Sequence, residues 1–210
     1  VNRLHLHIIR HAQSLANIGQ ADIPNAGLSE LGIWQAAQIP SFFRSIQPKA
    51  LYCSPLRRVI ETATPLHLER GVPLTLIPEM AEIFNGAWLD YRDYAWESCQ
   101  QIEDQFPYAR FIDTHDPLLK WWPDWPESEK MVRQRVQRFV EHTIASYLGT
   151  KEHIVIFGHG HTVADLQALI CPESAFPTHN AAIMSFELDA QGSCVSALFH
   201  TDHLGSKLTG

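Results

Sequence analysis

Three short stretches of the chain set chemically capable residues directly after an apolar run. LHLHII leads into Arg10-His11, ALYC leads into Ser54 and on to Arg57-Arg58, and HIVIF leads into Gly158-His159-Gly160-His161. A strand that only fills a core has no use for arginine and histidine at its end. An anion site does, because guanidinium forks match phosphate oxygens and free N–H groups at a helix start add partial positive charge. Gly158 and Gly160 would let the backbone come close to such a ligand.

These residues can meet only if the elements behind them are neighbours. Residues 4–9, 50–53, 72–77 and 153–157 read as strands, and AIMSFEL and VSALF as two final strands joined at Gln191-Gly192. Helical spacing marks 29–45, where Pro40 should kink or end the helix. Ser54-Pro55 reads as an N-cap and first-turn proline opening a helix near 55–70. Val132, Val136, Phe139 and Ile144 form one stripe of a helix over 127–148, and a further helix begins near 162.

Such alternation implies an α/β fold, a three-layer αβα sandwich with a mostly parallel central sheet and one antiparallel edge strand from the closing hairpin. Ligands then bind beyond the carboxyl ends of the strands, where the three polar stretches lie. Residues 1–210 are expected to form a single domain. Within it, 84–126 holds five of the six tryptophans (Trp88, Trp96, Trp121, Trp122 and Trp125) and reads either as irregular packing or as a Trp-rich lid over the active site.

Hydrophobic residues make up 45% and charged residues 19%, an ordinary globular balance. No apolar run approaches the roughly 20 residues of a membrane span, and VNRLHLHIIRH has no signal-peptide core. A net charge of −7 argues against nucleic-acid or anionic-membrane partners. Cys53, Cys99, Cys171 and Cys194 are widely spaced without a C-x-x-C pair, so free buried thiols and a cytoplasmic location are expected. Twelve histidines raise the alternative of a zinc hydrolase, but no carboxylate or cysteine partner stands at workable spacing, so no metal and no cofactor is expected.

The stretch R-H-A-Q-S-L-A-N at 10–17 resembles the signature of the histidine phosphatase superfamily, the phosphoglycerate-mutase-like family. Further segments resemble that family in its order: A-G-L-S-E-L-G-I-W-Q-A (26–36), C-S-P-L-R-R-V-I-E-T-A (53–63), P-E-M-A-E-I-F-N-G-A-W (78–88), P-E-S-E-K-M-V-R-Q-R-V (126–136) and F-G-H-G-H-T (157–162). The resemblance implies that His11 is a nucleophile phosphorylated on a ring nitrogen. It also implies that Arg10, Asn17 and Arg58 hold the phosphate, that His159 contacts the transferring group, and that Glu82 is general acid and then general base. Gly160 is grouped with the substrate-binding residues for its backbone. Gly-Leu-Ser stands in place of Pro-Leu-Thr, Asn85 is inserted into a Phe-Gly pair, and His161 stands where glycine or asparagine is common.

The implied activity is metal-independent hydrolysis of a small phosphomonoester, with a mutase-type phosphotransferase or a silent phospholigand-binding protein as alternatives. The chemistry asks for a neutral imidazole at His11 and a raised carboxyl pKa at Glu82. Arg57 is expected to face solvent, His5 and His7 to face packed elements, and His200 and His203 to sit at a strand end.

Overall fold

The computed structural model describes residues 2–21, 23–86 and 92–210. Its sheet has seven strands: β1 (Leu4–Arg10), β2 (Ala50–Cys53), β3 (Leu74–Leu76), β4 (Ala109–Phe111), β5 (His153–Gly158), β6 (Ile183–Leu188) and β7 (Cys194–His200). They lie in the order β4-β3-β2-β5-β1-β6-β7. Every pairing from β4 to β1 is parallel, and the closing hairpin adds the antiparallel character. The strand that reverses is β6, beside β1, and β7 forms the edge outside it.

Alternation along β1 sends Leu4, Leu6 and Ile8 into one apolar cluster and Ile9 into the other. The first cluster is completed by Val132, Val136 and Phe139 of α4 (Glu129–His142) and by Val163, Leu166 and Ile170 of α5 (Gly160–Ile170). The second is completed by Ala36 and Ile39 of α1 (Glu30–Phe42) and by Val59, Ile60, Ala63 and Leu66 of α2 (Arg57–Arg70). Helices therefore cover both faces of the sheet, giving three layers.

Several local readings shift. Helix α1 runs through Pro40 and ends within a turn of it, the Phe43 N–H bonding the Pro40 carbonyl. Helix α2 begins two residues past Pro55, and its cap position is Leu56 without a side-chain cap bond. The Ser54 hydroxyl bonds His159, 2.9 Å from Nε2, and reaches only the Leu56 N–H at 3.4 Å, ahead of the helix itself. Residues 127–148 break after His142 and continue as a short 3₁₀ turn, Ile144–Tyr147. The tryptophan-rich stretch contains regular structure as well: α3 (Cys99–Gln105), held by a Ser98–Gln101 capping box, and the edge strand β4. Trp96, Trp121 and Trp122 pack on one another and against the α1/α2-side core, while Trp88 lies outside the described residues.

The expectation of four free thiols is corrected. Cys171, at the end of α5, is disulfide-bonded to Cys194, at the start of β7, with Cα atoms 5.4 Å apart. The sheet brings together two cysteines 23 residues apart in sequence. Cys53 and Cys99 are free and buried. Disulfides belong mainly to oxidising compartments, so the cysteines no longer argue for a reducing one. Among the described residues, no helix is long and apolar enough to cross a membrane.

The other face of β1 carries histidines. His7 is 4% exposed, packs edge-on against Phe42 and Phe43, and bonds Ser185 Oγ through Nδ1 (2.9 Å) and His153 Nδ1 through Nε2 (3.0 Å). Its ring is nearly coplanar with that of His153, at 6° and 5.3 Å between centroids. That separation is the sum of two ring radii and one N···N contact, so the two rings share a linear hydrogen bond.

Burial, followed by the neighbouring His153, His5 and His200, lowers the His7 pKa from 6.5 to about 3. Between those values the unfolded chain takes a proton that the folded one refuses, so stability is whole above pH 6.5 and is lost as pH falls toward 3. This one group is expected to contribute a slope of about 1.4 kcal/mol per pH unit. Urea unfolding of the wild type and His7→Gln across mildly acidic pH checks it, the variant showing the shallower slope.

Candidate active site

The sheet register assembles the site. Arg10 pairs with Gly158 across β1 and β5, and Cys53 pairs with Phe157 across β2 and β5. The three strands therefore end level. His11 N–H then bonds the Gly158 carbonyl at 2.9 Å and Ser54 N–H bonds the Phe157 carbonyl at 3.1 Å, so His11, Ser54 and His159 emerge side by side. Gly158 leaves room for its neighbours here, since a Cβ would come within 2.9 Å of Met80 Cε and 3.1 Å of Thr162 Oγ1.

The hydrogen bonds fix the tautomers of both imidazoles. A guanidinium can only donate, so Arg58 Nη2, 3.2 Å from His159 Nδ1, makes that nitrogen the acceptor. The His159 proton is then on Nε2 and goes to Ser54 Oγ. His11 Nδ1 lies 2.7 Å from the Ala12 carbonyl, which can only accept, so the His11 proton is on Nδ1. His11 Nε2 is left with a free lone pair. The two rings are 5.2 Å apart between centroids, inclined at 62°.

Both rings stay neutral. Burial comes first and the Arg58 and Arg10 charges follow, and together they hold the His11 pKa well below its ordinary value despite the Ala12 carbonyl. His159 is lowered likewise, by burial, then Arg58, with His11, Arg135 and Arg10 adding to it. Arg58 is anchored by the Pro24 carbonyl at 2.9 Å and Arg10 by the Thr178 carbonyl at 2.7 Å. Arg10 Nε is buried and has no hydrogen-bond partner among the described residues. Gly160, the first residue of α5, comes near it: a Cβ there would sit 3.9 Å from that nitrogen.

Asn17 sits in the turn that follows His11, its N–H bonding the Ser14 carbonyl at 3.0 Å. Its side-chain oxygen accepts from the backbone N–H and the hydroxyl of Ser14, both at 3.0 Å, closing the turn after His11, and the residue is exposed.

Glu82 is brought in, but its electrostatics differ from expectation. Burial alone would raise its pKa. The His161 imidazole, Nδ1 3.3 Å from Oε1, the Ile83 N–H at 2.9 Å and the Arg58 charge outweigh it, so the carboxyl is lowered rather than raised.

Sequence reasoning assigned no role to the residues that hold this frame. Asn180 Nδ2 donates to the His11 carbonyl (2.8 Å), and Thr62 Oγ1 accepts from Ala12 N–H (3.0 Å) while donating to the Arg58 carbonyl (2.6 Å). Arg135 and Glu127 form a bidentate pair at 2.9 and 3.0 Å, their side chains 6% and 2% exposed. Arg135 also donates to the Glu79 and Glu82 carbonyls, and Glu127 accepts from Phe84 N–H. The signal was present in the E-S-E-K-M-V-R-Q-R stretch, where Glu127 and Arg135 are spaced by eight residues around the start of α4.

The chain belongs to the histidine phosphatase superfamily (branch 1), whose family model matches residues 6–201. It is 28% identical over 151 residues to the adenosylcobalamin/alpha-ribazole phosphatase of Escherichia coli strain K12, a match spanning 65% of each chain. It is 29% identical over 174 residues to the glucosyl-3-phosphoglycerate phosphatase of Mycobacterium tuberculosis strain CDC 1551, spanning 79% of this chain and 74% of that one. A solved mycobacterial glucosyl-3-phosphoglycerate phosphatase shares the fold, with a TM-score of 0.65 at 21% identity over 95% of this chain and 98% of that one.

Removing one partner of a buried ion pair strands the other charge, at a cost of about 3–5 kcal/mol. Glu127→Ala is expected to lose that much stability in urea titration, whereas Arg57→Ala, which removes the half-exposed Arg57–Glu61 pair, should change it by less than about 1 kcal/mol.

Proposed function

We propose that this protein is a metal-independent phosphatase that hydrolyses small phosphomonoesters through a phosphohistidine on His11. The observation that carries the reading is the unprotonated Nε2 of a buried, neutral His11, set beside His159 with Arg10 and Arg58 around them. A phosphomonoester dianion repels nucleophiles and has a poor leaving group. Neutral imidazole attacks in line once phosphorus is held roughly 3–3.5 Å away. Arg10 Nε and Arg58 then stabilise charge on the non-bridging oxygens, the dominant contribution in phosphoryl transfer, and His159 joins them when its Nε2 proton turns from Ser54 Oγ to a phosphate oxygen. Gly160 admits the phosphate to the α5 N-terminus, where free N–H groups point outward. Asn17 contributes through its amide nitrogen, its oxygen being committed to Ser14.

Glu82 gives a proton to the leaving oxygen and later takes one from the water that hydrolyses the phosphohistidine. The attacking and leaving oxygens need only protons, and the charge is handled by guanidiniums and imidazoles, so no metal enters the cycle. The relatives named above are phosphatases of small molecules, which favours hydrolysis over mutase-type transfer. The 84–126 region supplies a wall of the substrate pocket in this reading. Phe84, two residues from Glu82, stacks on Trp96 at 5.0 Å and ties that wall to the proposed acid.

Mixing the wild type with a panel of phosphoesters in the presence of chelator is expected to release free phosphate and to leave an acid-labile, alkali-stable phosphate on His11. His11→Ala should lose both, and Arg58→Ala should lose about 10²–10³-fold in kcat/KM. Isomer exchange without phosphate release, given 3-phosphoglycerate and a bisphosphate primer, would point to a mutase instead.

A further inference from the structure

An acid that protonates a leaving group must already hold a proton when substrate binds. Glu82 is poorly placed to hold one alone: its Oε1 accepts from Ile83 N–H and faces His161 Nδ1, contacts that favour the ionised carboxylate. His161 is the second residue of α5, two positions after His159, and its side chain is 40% exposed against 16% for Glu82. Carboxylates surround it from three elements: Glu82 from the segment before Ile83, Glu129 from α4, and Asp165 from its own helix. Asp165 is itself 3.7 Å from Arg133, and Arg58 and Arg10 act on Glu82 from the phosphate side.

We propose that His161 is the proton reservoir of this site, a positioning residue that holds at Nδ1 the proton which Glu82 delivers. This deepens the phosphatase reading and rests on it. The pair carries one exchangeable proton and titrates as a unit. The directions agree: hydrogen bonding to Glu82 raises the His161 pKa against the opposing effect of burial, and the same contact lowers Glu82.

In the first step the His11 Nε2 lone pair forms the N–P bond and the P–O ester bond breaks, its electron pair passing to the leaving oxygen. The incoming dianion makes the carboxylate more basic, the Nδ1 proton crosses to Glu82, and Glu82 passes it to the leaving oxygen, giving the free alcohol and a neutral His161. In the second step water attacks phosphorus and the N–P electrons return to His11. One water proton passes through Glu82 to His161, and the other stays on the released hydrogen phosphate. The reservoir is refilled, and the sum is ester plus water giving alcohol plus phosphate.

The test is single-turnover phosphorylation of His11 by aryl and alkyl phosphates of graded leaving-group pKa, for the wild type, His161→Gln and His161→Asn, at mildly alkaline and mildly acidic pH. Wild type is expected to depend weakly on the leaving group at both. Without the imidazole, Glu82 loses the largest contact that lowers its pKa but has no partner to hold a proton for it, so as a lone carboxyl it is ionised at alkaline pH. The variants should therefore lose about 10²-fold on alkyl phosphates at alkaline pH, little on 4-nitrophenyl phosphate, and recover in acid. The alkaline limb of their rate profile should move to lower pH. Variants that keep the wild-type dependence on leaving group and pH would overturn the reservoir while leaving phosphohistidine chemistry intact. A wild type that forms no phosphate on His11 would instead overturn the phosphatase reading beneath it.

Discussion

Two imidazoles are held neutral against two guanidiniums, and the rest of the site follows from that. A buried ring beside Arg10 and Arg58 pays twice for a proton, once for desolvation and once for like charge. The Ala12 carbonyl then directs the one proton of His11 to Nδ1, and Arg58 directs that of His159 to Nε2. The positive field and the unprotonated nitrogen support one another, because a fixed like charge disfavours a proton on the ring. Here the charge is carried by groups that do not lose their protons, so the field is strong and the nitrogen remains free.

Holding those groups within reach is a matter of strand register. Strands β1, β2 and β5 are parallel neighbours that end level, so residues separated by more than a hundred positions, such as Ser54 and His159, come into hydrogen-bond contact. A slip of one residue would turn Arg10 to the opposite face and carry His11 away from His159. The segment after α5 braces the same corner from the other side: the Thr178 carbonyl, Asn180 and Ala181 N–H bond Arg10, His11 and Arg10 in turn. Its start is anchored by the Cys171–Cys194 bridge.

Much of this was legible in the sequence because it depends on local signals. Apolar runs ending in Arg10-His11, Ser54 and His159 already implied a parallel sheet and one shared edge. What could not be read depends on pairing across the fold. Ser54 carries a sound N-cap signature, but its hydroxyl is recruited by a histidine a hundred residues away. Cys171 and Cys194 have no motif and become neighbours only when β7 pairs outside β6 beside the end of α5. Helix α3 and strand β4 are too short to show periodicity in a stretch dominated by tryptophan and proline. The raised pKa expected of Glu82 failed for a similar reason: burial does push it up, but His161 and Arg58, brought in by tertiary contact, and the adjacent Ile83 N–H together push harder the other way.

That reversal also explains a division of labour around Glu82. Its backbone is gripped by Arg135, which donates to the Glu82 carbonyl while paired with Glu127 in a nearly dry environment. Its carboxyl meets His161, which is far more exposed. A buried ion pair resists displacement because separating its members leaves an uncompensated charge. A pair whose imidazole reaches solvent can exchange a proton with little reorganisation. Position and protonation of the same residue are thus governed by two separate ion pairs, one rigid and one labile, and substituting Glu127 should disturb geometry where substituting His161 disturbs only the proton.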